Sequence, residues 1–144
     1  MTDDQEPAHR QALCTRQGND MKLKVLPNDF SVCKISDVQT FPFAEPFCFF
    51  SRTDEELSLV CPVTAVPPVT EAREDGWKAF RIEGVLDFGL VGILARIASI
   101  LAENGIAIFA VSTYNTDYVF IKKDYFEQAL ALLNKNGYEI SKPG

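Results

Sequence analysis

Residues 89–122 read GLVGILARIASILAENGIAIFAVSTYNTDYVFIK. Up to Asn104 the apolar residues recur every three or four positions, which predicts an amphipathic helix with one buried face. That face consists of Leu90, Ile93, Leu94, Ile97, Ile100 and Leu101. Gly105 follows at the point where a helix commonly ends on a glycine. The apolar runs at 106–111 and 118–122 then predict two strands with a polar loop between them.

The segments on either side of this stretch complete a regular order of elements. A strand is predicted at 77–82, and Asp124 is a suitable N-cap for a second helix. The apolar face of that helix holds Phe126, Ala129, Leu130 and Leu133. Residues 138–140 are expected to form a closing edge strand. The order strand, helix, strand, strand, helix, strand is the ferredoxin-like βαββαβ arrangement, and we predict it for a module over residues 76–144 of an α+β protein.

The first half of the chain has a different pattern. Strand-like runs occur at 30–35, 47–51 and 57–63. Because no long amphipathic helix lies between them, we predict a mostly β module over residues 21–70 that packs against the second module. The polar residues 1–20 predict a disordered leader. Charged residues 71–75 follow a proline-containing stretch and predict a linker between the modules.

Composition and charge argue against several classes of function. The 144 residues carry a net charge of −6, which argues against nucleic acid as a partner, because binding it depends on lysine and arginine neutralising phosphates. His9 is the only histidine, and the four cysteines show no close spacing. We therefore expect no metal, no cofactor and no catalytic residues, and hence not an enzyme. The sequence has neither a membrane-spanning apolar run nor a signal-peptide pattern, so we expect a cytoplasmic protein without a membrane partner.

Two segments carry polar groups that suit a small ligand. The turn into the first helix is expected to offer unpaired backbone N–H groups and the positive end of the helix dipole, which together favour a carboxylate. Its residues are Asp87, Phe88, Gly89, Leu90, Val91 and Gly92. The loop between the two strands offers hydroxyls, an amide and a carboxylate. Its residues are Ser112, Thr113, Tyr114, Asn115, Thr116 and Asp117. A carboxylate seat facing Asp117 matches the two charges of a free amino acid.

Each of these features also has a purely structural interpretation. Asp87 is of a residue type that is favoured for capping a helix. Gly89 and Gly92 are equally suited to let the helix pack closely against the sheet. Residues 112–117 have the composition of an ordinary polar turn, in which Asp117 would be a solvated carboxylate. From the residues alone, both interpretations stay open.

Two longer segments resemble a known family. Residues 84–121 are similar to the second module of tandem ACT proteins related to the amino-acid-binding part of aspartate kinases, chiefly through residues 87–92, 103–106 and 112–117. Residues 51–62, SRTDEELSLVCP, resemble the first module. The similarity is particularly to the branch that includes the cytosolic arginine sensors called CASTOR.

This resemblance implies both a fold and a role. The expected fold is an ACT-like second module packed with a degenerate ACT-like first module. The expected role is that of a regulatory or sensor protein that binds a free amino acid and either forms a homodimer or acts on a protein partner. The alternative is a structural or protein-interaction module in which the ligand site is vestigial.

Overall fold

The computed structural model describes residues 21–83 and 92–143. These residues form eight strands and two α-helices. The strands are β1 (Lys22–Val25), β2 (Phe30–Ile35), β3 (Phe49–Arg52), β4 (Leu57–Pro62), β5 (Ala72–Glu83), β6 (Ile108–Ser112), β7 (Asp117–Lys122) and β8 (Glu139–Ser141). The helices are α1 (Ile93–Glu103) and α2 (Lys123–Lys135). Within the described ranges, neither helix is long and apolar enough to cross a membrane. The leader predicted over residues 1–20 lies outside them.

The second module has the predicted order of elements, β5, α1, β6, β7, α2 and β8. β7 pairs antiparallel with both β5 and β6. β1 also belongs to this sheet, because it lies between β5, to which it is antiparallel, and β8, to which it is parallel. Leu23 and Val25 alternate with lysines along β1, so the strand presents one apolar face to the core. The N-terminal strand thus completes the sheet of the C-terminal module.

One face of this sheet is covered by the two helices. Ile97 and Leu101 of α1 are buried against it. The four residues predicted for the apolar face of α2 are all buried, which confirms that part of the pattern. They pack in one cluster with Leu23, Val25, Phe80, Ile82, Val119 and Ile121 of the sheet. The largest apolar core of the described residues therefore lies between the helices and this face.

The end of α1 agrees with the prediction, whereas the start of α2 differs from it. Gly105 has a φ of 73° and donates its N–H to the carbonyl of Ala102, while Ile106 donates to that of Leu101. This is the glycine-ended cap that the sequence predicts. Asp124 is not the N-cap of α2, because β7 runs directly into the helix and Lys122 occupies that position. Asp124 lies in the first turn instead, where its negative charge interacts favourably with the positive end of the helix dipole.

The first module is mostly β, as predicted. Its strands lie in the order β3, β4, β2 and β5. In the second module β6, β7 and β5 have the corresponding order, but β1 lies between β5 and the last strand, β8. A single 3₁₀ turn stands in place of each helix, at Val38–Thr40 and at Val63–Ala65. The face that these turns help to cover buries Cys33, Ile35, Leu59 and Cys61. This module is therefore a version of the same fold in which the helices are reduced to turns.

The segment predicted as a linker is part of a strand. Residues 72–75 begin β5 and pair with β2, because β2 offers them a free edge for backbone hydrogen bonds. Gly76, at a φ of 91°, lies where the register shifts between Phe30 and Val32, as in a bulge that bends a strand. β5 is thus shared by both modules. A second buried cluster joins them: Leu26, Phe30, Val60, Ala79 and Phe120.

Candidate functional site

The predicted loop at 112–117 is a short hairpin between β6 and β7. Ser112 lies opposite Asp117 in the ladder. The backbone N–H of Thr113 donates to the carbonyl of Thr116 over 2.8 Å, and the Thr113 hydroxyl donates to the same oxygen over 2.9 Å. Tyr114 lies at the tip and is 87% exposed. Backbone and side chain together therefore hold the hairpin closed.

The hairpin is also fixed to the end of β5. The Thr116 hydroxyl donates to the backbone carbonyl of Ile82 over 2.6 Å. Both threonine hydroxyls of the hairpin thus have partners inside the protein, whereas Ser112 and Asn115 are exposed. Asp117 is partly buried and forms no ion pair with any described residue. Asp117 is also the one residue of the loop at 112–117 with a charged side chain.

At the helix entry, the described residues include only the last predicted position, Gly92. Gly92 is the N-cap of α1, with a φ of 89° and no side-chain cap. A Cβ atom placed on it would meet no atom of the described residues within 4 Å. The left-handed backbone therefore explains the glycine, and close packing against the sheet does not. The other predicted residues, Asp87, Phe88, Gly89, Leu90 and Val91, lie outside the described part of the chain.

Three residues near the hairpin were not predicted as site residues. The guanidinium of Arg81 donates through Nε to Glu83 Oε2 at 3.0 Å and through Nη1 to the Tyr118 hydroxyl at 3.4 Å. The hydrogen bond to Tyr118 is the main cause that raises the pKa of Arg81, and the bond to Glu83 adds to it. Sequence reasoning assigned Arg81 and Tyr118 to strands only. The sequence signal that could have identified this site is the pair of opposite charges, Arg81 and Glu83, at the end of β5.

The two sets of charges lie on opposite faces of the sheet. Side chains alternate along a strand, so Asp117 shares the helix-covered face with Val119. Tyr118 points to the other face, where its ring contacts Phe49 with centroids 5.0 Å apart. Phe47 also approaches Tyr118 and has a φ of 63°, which is strained for a bulky residue. Aromatic residues of the first module therefore extend to this end of the second.

The charged side chains at this end of the module are of types that pair with ions of opposite charge. Asp117 is suited to a cation, and Arg81 is suited to a carboxylate, although Glu83 already holds it. Among the described residues, no group of three or more His, Cys, Asp and Glu side chains is placed to hold a metal ion. The hairpin and the end of β5 thus form a polar end of the module, and the described residues there hold no metal-type cluster.

Comparison with known proteins shows what the second module is similar to. Residues 72–135 match the family model of the ACT domain. A crystal structure from Agobacterium tumefaciens is 28% identical, with a TM-score of 0.78 over 86% of this chain and 94% of that one. A Vibrio cholerae protein of unknown function, described as a possible transport protein, is 23% identical, with a TM-score of 0.69 over 88% and 97%.

A third structure is an enzyme subunit. The regulatory subunit of aspartate kinase from Thermus thermophilus, in its ligand-free form, is 14% identical, with a TM-score of 0.54 over 79% of this chain and 95% of that one. At this identity the likeness shows the fold alone. No curated protein matches the chain. The chain therefore has an ACT-like fold, with the match to the ACT domain model spanning β5 through α2.

Proposed function

We propose that this chain is a regulatory protein that binds a free amino acid between the helix-entry turn at 84–92 and the loop at 112–117. The observation that carries the proposal is the partly buried Asp117, without an ion-pair partner among the described residues, at the end of an ACT-like module. Asp117 pairs with the ammonium group of the ligand. Backbone N–H groups in the first turn of α1 hold the carboxylate, with the helix dipole in support.

A regulatory role is supported by the kind of protein that shares the fold. One similar structure is itself a regulatory subunit of aspartate kinase, and residues 51–62 and 84–121 resemble the CASTOR branch. Binding of the amino acid regulates a partner only if the ligand prefers one conformation of the complex. We propose a binding role without catalysis. In support, burial, with the nearby Cys33 and Cys48, raises the pKa of the Cys61 thiol to about 12, so it is not a thiolate near neutral pH.

An open sheet edge supports a homodimer. β6 pairs with β7 on one side, and its other edge has no partner among the described strands. Residues 108–112 read IFAVS and carry no charge. Natural proteins usually protect such an edge with charges, proline or a covering element. A second copy of the chain would satisfy the edge by strand pairing. Cys33, Cys48 and Cys61 are free thiols, which suits the cytoplasmic location we propose.

One observation favours the alternative of an interaction module with a vestigial site. The hydroxyls of Thr113 and Thr116 are already bonded within the protein, so the hairpin offers a ligand fewer donors than its composition suggests. On this alternative, no amino acid binds, and Asp117→Ala leaves the stability and the partner binding of the chain unchanged.

Thermal-shift screening of the full chain against each of the twenty common amino acids separates the two functions. A ligand at a hundredfold excess over its dissociation constant stabilises the folded state by roughly 2.7 kcal/mol. For a domain of this size we expect the melting temperature to rise by several degrees for at least one amino acid. An unchanged melting temperature with every amino acid, each at millimolar concentration, would reject the sensor function.

A further inference from the structure

The two modules place equivalent hairpins at equivalent ends. In the first module the backbone N–H of Thr53 donates to the carbonyl of Glu56 over 3.0 Å. In the second module Thr113 donates in the same way to Thr116 over 2.8 Å. In both hairpins the threonine hydroxyl also accepts a backbone N–H, from Glu56 in one and from Thr116 in the other. The hairpin at 53–56 is therefore the counterpart of the candidate ligand loop.

The neighbouring strands extend this equivalence to charged residues. Lys34 lies opposite Ser58, which is the second residue of β4. Arg81 lies opposite Tyr118, which is the second residue of β7. Each cation is followed by an isoleucine, which is the last residue of β2 in the first module and the second-last residue of β5 in the second. Lys34 thus has the same place in the first module that Arg81 has in the second.

A cavity lies at this place in the first module. It has a volume of about 380 Å³ and is open to solvent, with seven of its nine lining residues exposed. It is lined by the end of β2, by the hairpin at 53–56 and by Glu71, which directly precedes β5. Its charged lining residues are Lys34, Arg52, Glu55, Glu56 and Glu71. The cavity therefore combines two cations with three carboxylates.

These charges do not neutralise one another directly. None of the five side chains is within ion-pair distance of an opposite charge in the described ranges, 21–83 and 92–143. Arg52 supplies a planar guanidinium that suits a carboxylate, and the glutamates suit an ammonium group. A molecule that carries both groups gains from both halves of the lining at once.

We propose that this cavity is a second ligand site, specific for small molecules that carry both an ammonium and a carboxylate group. The ligand's carboxylate pairs with Lys34 and Arg52, and its ammonium group pairs with the glutamates. The choice of ligand class rests on the proposed function of the equivalent loop at 112–117. The cavity and its charges are independent of that loop.

Nuclear magnetic resonance of the ¹⁵N-labelled full chain tests this site. Each common amino acid is titrated in turn, with ammonium acetate as the control that supplies the same two charges on separate ions. We expect saturable shifts of the backbone amides at 34–36 and 52–57 with at least one amino acid. Lys34→Ala combined with Arg52→Ala should weaken this binding at least tenfold. The matched exposed variant Lys24→Ala should leave it unchanged.

The outcomes separate this site from the proposed function. Shifts at 112–117 alone would overturn the second site and leave the proposed function standing. Saturable shifts at 34–36 and 52–57 alone would support the second site and overturn the proposed one, and the absence of shifts in either region would overturn both. Equal shifts with ammonium acetate, or no loss of binding in the double variant, would also overturn the second site.

Discussion

Asp29, in the turn between β1 and β2, forms an ion pair with Lys78 of β5, with 3.0 Å between Oδ1 and Nζ. Lys123, at the start of α2, approaches the other carboxylate oxygen at 3.4 Å. The hydrogen bond from Lys78 is the main cause that lowers the pKa of Asp29 below its ordinary value of 3.8. One turn residue therefore links the shared strand to the helical layer.

We predict that Asp29→Asn lowers stability in a pH-dependent way. Because the pKa of Asp29 is lower in the folded state, its contribution is fully present above the ordinary value and is lost as the pH falls through the folded pKa. The pair is partly exposed, so near neutral pH the loss should be below about 1 kcal/mol. Urea unfolding of both proteins at several pH values measures it. A difference that stayed constant as the pH was lowered far below the ordinary pKa of 3.8 would contradict the account, and Asp54→Asn is the exposed control.

A second prediction concerns the attachment of the hairpin to β5. Thr116→Val keeps the shape of the side chain but removes the hydroxyl that bonds to Ile82. The free energy of unfolding should fall by about 1–2 kcal/mol, since a partly buried carbonyl loses its donor. Calorimetric melting compares this variant with Thr64→Val, at an exposed threonine in the turn at 63–65. Equal melting temperatures for the two variants would mean that the bond contributes nothing.

A third prediction tests why residue 92 is glycine. Asparagine tolerates the left-handed backbone region better than a β-branched residue does. Gly92→Asn should therefore cost less stability than Gly92→Val, and the difference should be about 1 kcal/mol. Chemical unfolding of the two variants measures it. A Cβ atom there meets no atom of the described residues, so crowding does not account for a difference between the variants. Equal losses would show that backbone conformation is not what restricts this position.

A fourth prediction concerns the open edge of β6. If two copies pair there, a charge on the strand should prevent it, because two like charges would face each other across the new ladder. Ala110 is exposed, so Ala110→Lys should leave the fold intact and convert the dimer into a monomer. Light scattering across a range of concentrations gives the mass. A dimer that survives in Ala110→Lys as it does in Ala131→Lys, an exposed change on α2, would exclude this edge.

The sequence predicted the second module well because its signals are local. The apolar spacing up to Asn104, followed by Gly105, correctly predicted α1. The buried face of α2 was predicted in full. The prediction of a linker at 71–75 was wrong. Charged residues suggest a segment exposed to solvent, but residues 72–75 pair with β2. This pairing depends on contacts between distant parts of the chain, which local composition does not reveal. The place of β1, between β5 and β8, is equally non-local. A single apolar run carries no signal for its partner strands.

The candidate site was predicted in outline only. Polar composition located the hairpin, but it gave no indication that the Thr113 and Thr116 hydroxyls bond inside the protein. Nor did it identify Arg81, whose place beside Tyr118 depends on the register between β5 and β7. For Gly92, composition does not distinguish a need for close packing from a need for an unusual backbone conformation. The positive φ angle indicates the second.

The most direct test of amino-acid binding at the second module is isothermal titration calorimetry of the full chain with the amino acid that gives the largest thermal shift. Asp117→Asn removes the charge that pairs with the ligand's ammonium group, while Asp124→Asn changes an exposed aspartate in α2. We predict that Asp117→Asn weakens binding at least tenfold, about 1.4 kcal/mol, and that Asp124→Asn leaves it unchanged. Equal affinity in all three proteins, or no heat of binding in the unaltered chain, would contradict the central claim.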